Sequence, residues 1–540
     1  MSQERPPVRV AVIGSGLAAL TAAYRLIKDN DASNVQFEVH VFEKSDNVGM
    51  DSSSVTIDGT ERRVDVPMRS FQGGYYPRLI ELYKEIGAAF RPSNFSYSFS
   101  TWKPDTDGTG VYHCNLIYNG VRAGSKLSMP STFRSPAKFG SGLDVLDAWV
   151  LFMLSWALFI WSALSTALNQ FRLVALSSPW LRIHPSSTMT LRDWAHAVRP
   201  TGLASRFLGL EASWLSFVYE TLVPLFSAVC TCSAEDALNH PAYELLEYCW
   251  LTLGTDHYVV QHGVRDVVTR LTKPIRHLHL STCVEGLESN PNGTITVRTT
   301  TSGQLQEYGP FDHVVIGTQA NQAARLLGAL STALNRDDPA RGDVDALLQP
   351  LKNFHYVDTI VCNHTDSSLL PPLKDRRDLN FLHIQPNSAF KASPSDLCVL
   401  PSCVMTTHVL SNQTTDTGLL LLQTTNPSIP PRRESVLSVA RLQRAVLTPA
   451  AKAALPSLAT LTLRPTTWRN LWRPSESWSL GPAQGLSVRN RVKQSTQKTV
   501  GLWCCGSYAH GGIPLLEGCV VSASNVAAEI ARIERERCIR

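Results

Sequence analysis

Two glycines, Gly14 and Gly16, stand between an apolar β-branched run and an alanine-rich run, and Ala19 closes the series Gly14-Ser15-Gly16-Leu17-Ala18-Ala19. That spacing suits a pyrophosphate. Gly14 permits a tight turn, Gly16 lets phosphates approach the main chain, and Ala19 is small enough for a helix to pack closely on a strand. The N–H groups that open such a helix lack intrahelical partners and carry partial positive charge, so they attract phosphate oxygens. A second apolar run, FEVHVFE, ends in Glu43, a carboxylate placed to accept hydrogen bonds from an adenosine ribose. Turn and acid together point to a bound dinucleotide.

These residues need elements to hold them. VRVAVI, residues 8–13, has the composition of a buried parallel strand, and LAALTAAYRLI has the apolar spacing of a helix packed on one face. Near the other end, VGLWCCGSYAHGGIPLLEGCVVSASNVAAEIA reads as an apolar strand, a glycine-rich turn and a helix beginning near Gly518. Such a segment can close over a second part of the same nucleotide.

The first fingerprint, Glu43, the blocks HLHLSTCVEGLES and FDHVVIGTQANQAARLL, and the C-terminal motif together resemble the superfamily of FAD-dependent amine oxidases, protoporphyrinogen oxidases and phytoene desaturases. Within it, VPMRSFQGGYYPRLIELYKEIGA, ETLVPLFSAVCTCSAEDALNHPAYELLEY, VCNHTDSSLLP and LLQTTNPSIPP bring the sequence nearest to NAD/FAD-binding oxidoreductases associated with lipid-modifying genes. The resemblance implies a tightly bound FAD. Gly14, Ser15, Gly16, Leu17, Ala18 and Ala19 would then lie at the pyrophosphate, Glu43 at the ribose, and Val284 at the adenine through its backbone. Gly506 and Ser507 would lie near the diphosphate and ribityl chain. The helix start carrying Glu517, Gly518, Val520 and Val521 would point its N–H groups at the flavin C2 carbonyl, where they stabilise developing negative charge.

The sequence departs from the superfamily in one place. A Gly-Gly-Arg or Gly-Gly-His segment usually follows the ribose acid, and here Val48-Gly49-Met50-Asp51 stands instead. Asp51 would repel phosphates unless it points away. No Ser-Gly-Gly-Cys attachment motif is visible, so a non-covalent flavin is expected, with Cys504, Cys505 and Cys519 near enough in sequence to keep attachment open.

The expected architecture is α/β. A Rossmann-like FAD-binding domain is assembled from three segments, residues 1–75, 256–330 and 495–540. An α+β substrate domain, an antiparallel sheet plus helices, is inserted as residues 76–255 and 331–494. VYHCNLIYNGVRAG, alternating around Asn119-Gly120, signals a hairpin in that sheet.

For catalysis, Tyr508 and His510 lie near the implied flavin ring, and His510 has the chemistry of an acid or base. Lys352 stands as a weaker candidate for the lysine that holds a water against flavin N5 in amine oxidases. His364 and Asp366 serve either the site or a turn. His277 and His279 share a strand face without an evident third ligand, so no metal site is expected.

Composition excludes other classes. A net charge of +5 over 540 residues, with no long basic block, argues against nucleic acid. Twelve cysteines without CxxC spacing read as reduced thiols. MSQERPPVRV has no signal-peptide core, so an intracellular protein, cytoplasmic or peripheral on an intracellular membrane, is expected. Residues 148–171, AWVLFMLSWALFIWSALSTALNQF, carry no charge and are long enough to cross a bilayer. A single crossing would put the two halves of one nucleotide site on opposite sides of the membrane. Three arrangements remain: a helix in one leaflet, a hairpin with residues 212–230 as its return, or a helix buried over the substrate cavity.

The sequence therefore leads to an FAD-dependent oxidase or desaturase that takes hydride from a small hydrophobic substrate and passes electrons to oxygen or another acceptor. An amine oxidase and a flavin-binding protein without turnover are the alternatives.

Overall fold

The computed structural model describes residues 6–30, 35–57, 63–104, 110–121, 123–134, 145–384, 403–414, 420–463, 476–491 and 501–539. Val8–Ile13 is a strand paired in parallel on both sides, Val10 lying opposite Val39 of Phe37–Phe42 and opposite His313 of His313–Ile316. His277–His279 and Gly501–Cys504 complete a five-stranded parallel sheet, in the order His277–His279, Phe37–Phe42, Val8–Ile13, His313–Ile316, Gly501–Cys504. A sheet covered on both faces needs apolar residues at successive positions. Val10, Val12 and Val315 face the first helix, Leu17–Asp29, and the C-terminal helix, Leu516–Ile539. Ala11, Ile13, Val314 and Ile316 face the opposite layer, built by the helices Ala320–Ala333 and Pro339–Leu351. The fold is thus mixed α/β with a Rossmann-like sheet at its centre.

The layers touch closely where the sequence has small residues. A Cβ built on Gly317, just after His313–Ile316, would sit 2.6 Å from Ala19 Cβ, so both positions must be small for the first helix to lie on the sheet. A three-stranded antiparallel sheet, Thr282–Ser289, Ile295–Thr301 and Gln304–Phe311, flanks this unit.

The second unit is an eight-stranded sheet drawn from both insertions, running from Val436–Val446 at one edge to Leu127–Ser128 at the other. The antiparallel expectation holds for every pair but one. Leu379–Ile384 runs parallel to Tyr97–Pro104, because these strands come from different insertions and no hairpin joins them. The Asn119-Gly120 hairpin is also longer than a two-residue turn: Tyr118 pairs with Leu127, and Asn119 N–H donates to Lys126 O.

Two domain limits need correction. Residues 76–92 stay with the Rossmann unit, because Phe90–Pro92 pairs with His257–Val260, which pairs in turn with Ser70–Gln72. Val488 packs in the Rossmann core, so the chain has returned there before residue 495. The expected limit at 494/495 itself lies outside the described residues.

The uncharged segment belongs to one long helix, Val145–Ser177. Its inner end is anchored: Asn169 Nδ2 donates to Ser213 Oγ at 2.9 Å, and Leu173 is buried among Trp214, Phe217 and Phe226. Its outer part stands largely uncovered by the described residues, with Trp149 and Met153 each 61% exposed and Trp161 57%. This overturns burial over the cavity for that part. Residues 212–230, the expected return, are partly enclosed, with Trp214 and Val218 fully buried. That helix takes a π turn at Val218–Leu222, just ahead of Pro224, whose missing N–H breaks the regular ladder.

Candidate functional site

The first helix begins at Gly16 without any side-chain cap, so its leading N–H groups remain available to a ligand. Gly14 adopts φ +95°, a conformation that favours glycine, and a Cβ there would also approach Thr318 Cγ2 to 3.1 Å. Gly16 differs. Its backbone is extended, and a Cβ would meet nothing within 4 Å, because that side of the residue opens on a cleft. The cleft, about 300 Å³, is lined by Gly16, Leu17 and Ala18 from the turn, by Gly49 and Met50, by Gly317–Gln319, and by Gly506, Ser507 and Tyr508 from the C-terminal motif. Both ends of the chain therefore contribute to one groove.

Glu43 braces the turn. Its Oε2 accepts from Ser15 N–H at 3.1 Å and Ser15 Oγ–H at 2.5 Å, and its Oε1 accepts from Ser45 N–H at 2.9 Å. Gly49 N–H donates to Ser15 Oγ at 2.7 Å, so the segment that replaces the usual Gly-Gly-Arg is tied to the same turn. Asp51 points away from the groove: Arg63 Nη2 meets it at 2.6 Å and Arg265 Nε at 3.2 Å, which neutralises the charge that would repel phosphates. Val284 lies outside the cleft lining, in the core beside Phe42, while Thr282 N–H on the same strand donates to Glu43 O. Ala19 packs against Gly317, below the groove.

The C-terminal helix starts at Leu516. Leu516 and Cys519 line the cleft, whereas Val520 is buried in the core and Val521 lies outside the lining. Gly518 packs on Ser507 O and His510 Cβ. The Glu517 carboxylate turns away to cap the helix Pro77–Glu85, accepting from Arg78 and Leu79 N–H at 2.9 Å each. Burial pushes its carboxyl up from 4.5 to about 7, against those two hydrogen bonds. The folded chain therefore keeps a proton that the unfolded chain releases, and stability falls as pH rises from about 4.5 to about 7, by roughly 3 kcal/mol in total. Thermal melts at about pH 5 and about pH 8 should show this fall in the wild type and a much smaller one in Glu517→Gln. Equal falls in both proteins would place the titration elsewhere.

His510 requires correction as an acid or base. It lines neither the cleft nor the cavity below; its ring packs on Trp478 at 5.2 Å, its Nδ1 contacts Gly511 O, and burial pushes it down to about 4. Tyr508 does line the cleft, with its ring 5.5 Å from Phe354. Lys352 is exposed at the end of Pro339–Leu351, outside both spaces. His364 and Asp366 take the turn role: Asp366 accepts from the Arg432 guanidinium, from Arg432 N–H and from Ser368 Oγ–H and N–H, and these bonds hold it below the carboxylate range although burial opposes them. Cys504 and Cys505 are buried outside the cleft, and burial pushes the Cys519 thiol up to about 11.

Of the two strand histidines only His277 lies in a group of candidate ligands, with Glu38 and His40, and His279 stands outside that group. His40 stacks on His277 at 4.3 Å, and Glu38 Oε1 lies 2.8 Å from His40 Nε2. The two rings are nearly parallel, so their in-plane lone pairs do not converge, and Arg9 Nε already engages Glu38 at 3.0 Å.

A second space of about 510 Å³ adjoins the cleft, and Pro67, Arg69, Arg444, Ala445, Ser507, Pro514, Leu516 and Cys519 line both. Its remaining wall is largely apolar, with Phe71, Leu222, Leu225, Phe226 and Phe381, and with Leu173 and Val174 from the long helix. Neither Arg69 nor Arg444 stands out in the amino-acid sequence. Arg69 stands inside the quoted block VPMRSF, but nothing local marks its burial, and Arg444 sits in an edge strand of ordinary pattern.

Residues 12–86 match the family described as the NAD(P)-binding Rossmann-like domain. Among solved structures, the chain is similar to cyclohexylamine oxidase from Brevibacterium oxydans, with TM-score 0.49, 14% identity, and 99% of this chain and 100% of that chain covered. It is similar to an oxidoreductase from Methanosarcina mazei, with TM-score 0.49, 13% identity, and 96% and 99% covered. It is similar also to wild-type putrescine oxidase bound to putrescine, with TM-score 0.45, 12% identity, and 98% and 100% covered. No curated protein matches the sequence. The parallel sheet, the Gly14–Gly16 turn braced by Glu43 and the match over residues 12–86 together identify a Rossmann-like dinucleotide-binding domain, carried in a mixed α/β chain with a large second sheet.

Proposed function

We propose that the protein is a flavin-dependent oxidoreductase that removes hydride from a small apolar substrate. One observation carries this reading: the groove that begins at the Gly16 turn opens, between Ser507 and Cys519, into a cavity with a largely apolar wall. The residues fit FAD. Gly16 leaves open the space a pyrophosphate needs, the uncapped helix start faces it, and Glu43 is fixed beside it. When bound, FAD would supply the hydride acceptor, and its electrons would then pass to oxygen or another acceptor.

The chain's own residues bind, orient and exclude water. Phe71, Phe226 and Phe381 wall the cavity. Among the described lining residues the imidazoles are His257 and His408, and burial pushes each down to about 4, so both are neutral and weak bases at neutral pH. Rate then comes chiefly from holding a C–H bond in a dry site next to the cofactor, which suits an apolar substrate. The pairing of Asp51 with Arg63 and Arg265 removes the main reason to favour a protein without turnover.

The purified protein should show an oxidised-flavin absorption band, and this band should bleach anaerobically with an apolar substrate. Colourless protein that takes up no FAD on reconstitution would end the proposal.

The exposed helix extends the reading. We propose that its exposed apolar outer part rests in one leaflet, while its inner end, at Gln170, Leu173 and Val174, lines the cavity. An apolar substrate dissolved in lipid then has a short route to the site.

A further inference from the structure

Two arginines stand where the cleft meets the cavity, and among the described residues neither Nε has a partner. Arg69 follows the Pro67–Met68 segment, Arg444 sits in Val436–Val446, and both line both spaces. The Nε of each is sealed and without a hydrogen-bond acceptor, and neither guanidinium forms an ion pair or side-chain hydrogen bond among the described residues. The surface they keep faces the enclosed spaces. Asp65 and Asp51 are the carboxylates that act on Arg69. Both are engaged elsewhere: Asp65 accepts from Val264 N–H at 3.1 Å, and Asp51 is held by Arg63 and Arg265.

A buried cation without a counter-charge is costly, and two close together cost more. Burial lowers both groups, Arg444 to about 9, and Arg69 adds to that lowering by its own charge; a guanidinium keeps its proton inside proteins. Among the described residues no aspartate, glutamate or lysine lines the cavity, and its histidines are neutral. Among the described lining residues the arginine pair is therefore the cavity's charge. An ammonium ion would meet two like charges there and no carboxylate, which weighs against the amine oxidase alternative.

We propose that Arg69 and Arg444 bind the carboxylate of an elongated apolar acid, whose hydrocarbon body fills the cavity and whose carbons nearest the head lie beside the cleft. Guanidinium forks match a carboxylate in geometry as well as charge. The proposal rests on the flavin reading for the fate of the acid, but binding is measured independently of it.

The test is calorimetric titration of the purified protein, its flavin content measured in the same samples, with decanoate, decanol and decylamine as probes. Decanoate should bind at least about tenfold more tightly than decanol, and decylamine should bind most weakly. Arg69→Met and Arg444→Met should each lose the decanoate advantage while keeping decanol affinity, and Arg444→Lys should restore part of it. Decanol or decylamine binding as tightly as decanoate overturns the proposal. So does a decanoate preference that survives both methionine variants, and so does loss of flavin in those variants with no carboxylate preference in the wild type, which would assign the pair to the cofactor. The three-probe comparison on wild type stands even if a variant fails to fold. A colourless protein that still prefers decanoate refutes the flavin reading alone.

Discussion

Gly16→Val is expected to fold as well as the wild type and to lose its flavin. The backbone at Gly16, φ −69° and ψ 174°, is open to any residue, and a Cβ there meets nothing within 4 Å. Stability should therefore stay within about 0.5 kcal/mol of the wild type, as for other substitutions that disturb no contact. The valine side chain would instead stand in the groove before the helix start, where phosphates must come within hydrogen-bond distance of the main chain. Flavin affinity should fall by on the order of 100-fold, equivalent to about 3 kcal/mol, and the protein should purify nearly colourless. Gly14→Val provides the contrast. Its φ of +95° is hostile to a β-branched residue and its Cβ would press on Thr318, so it should lose about 2 kcal/mol or more of stability together with the cofactor. Thermal melts and flavin-to-protein absorbance ratios measure both effects. Full flavin content in Gly16→Val would remove the phosphates from this turn and the nucleotide from this groove.

The second large effect concerns the exposed helix. Wild-type protein should float with liposomes, and Leu154→Asp combined with Trp161→Asp should remain in the aqueous fraction. Both side chains are more than half exposed, so the folded core should not notice the change. Each aspartate costs about 3 kcal/mol at hydrocarbon depth, so two of them reduce partitioning by several orders of magnitude. Neighbouring surface supports the same contact: the helix Leu210–Phe217 that packs on the long helix follows Leu203–Phe207, where Leu203 is 88% and Phe207 91% exposed. Wild-type protein that stays entirely with the aqueous fraction would exclude a leaflet as the partner of this surface. Unchanged melting of the double variant would show that lost partitioning reflects the membrane contact and not unfolding.

Much of the Rossmann unit was legible because its signals are local. Gly14, Gly16 and Ala19 act within one turn, the runs at residues 8–13 and 37–43 need only their own hydrophobicity to declare a buried sheet, and the charge-free stretch at 148–171 declares a long apolar helix whatever surrounds it. Glu43 was also visible, since its distance from the turn along the chain follows from the strand-helix-strand unit.

The tertiary structure decided what depends on neighbours remote in sequence. Asp51 looked repulsive until Arg63 and Arg265 closed on it, and His510 looked catalytic until Trp478 and Gly511 held it outside the cleft. Glu517 sits in the right helix turn, yet it spends its carboxylate on the start of Pro77–Glu85. Arg69 and Arg444 carry no local mark at all, because a lysine or arginine in an edge strand or turn is ordinarily solvated. Only the meeting of two insertions over one groove encloses both guanidinium groups, and enclosure without a counter-charge is a property of packing that the one-dimensional pattern does not contain.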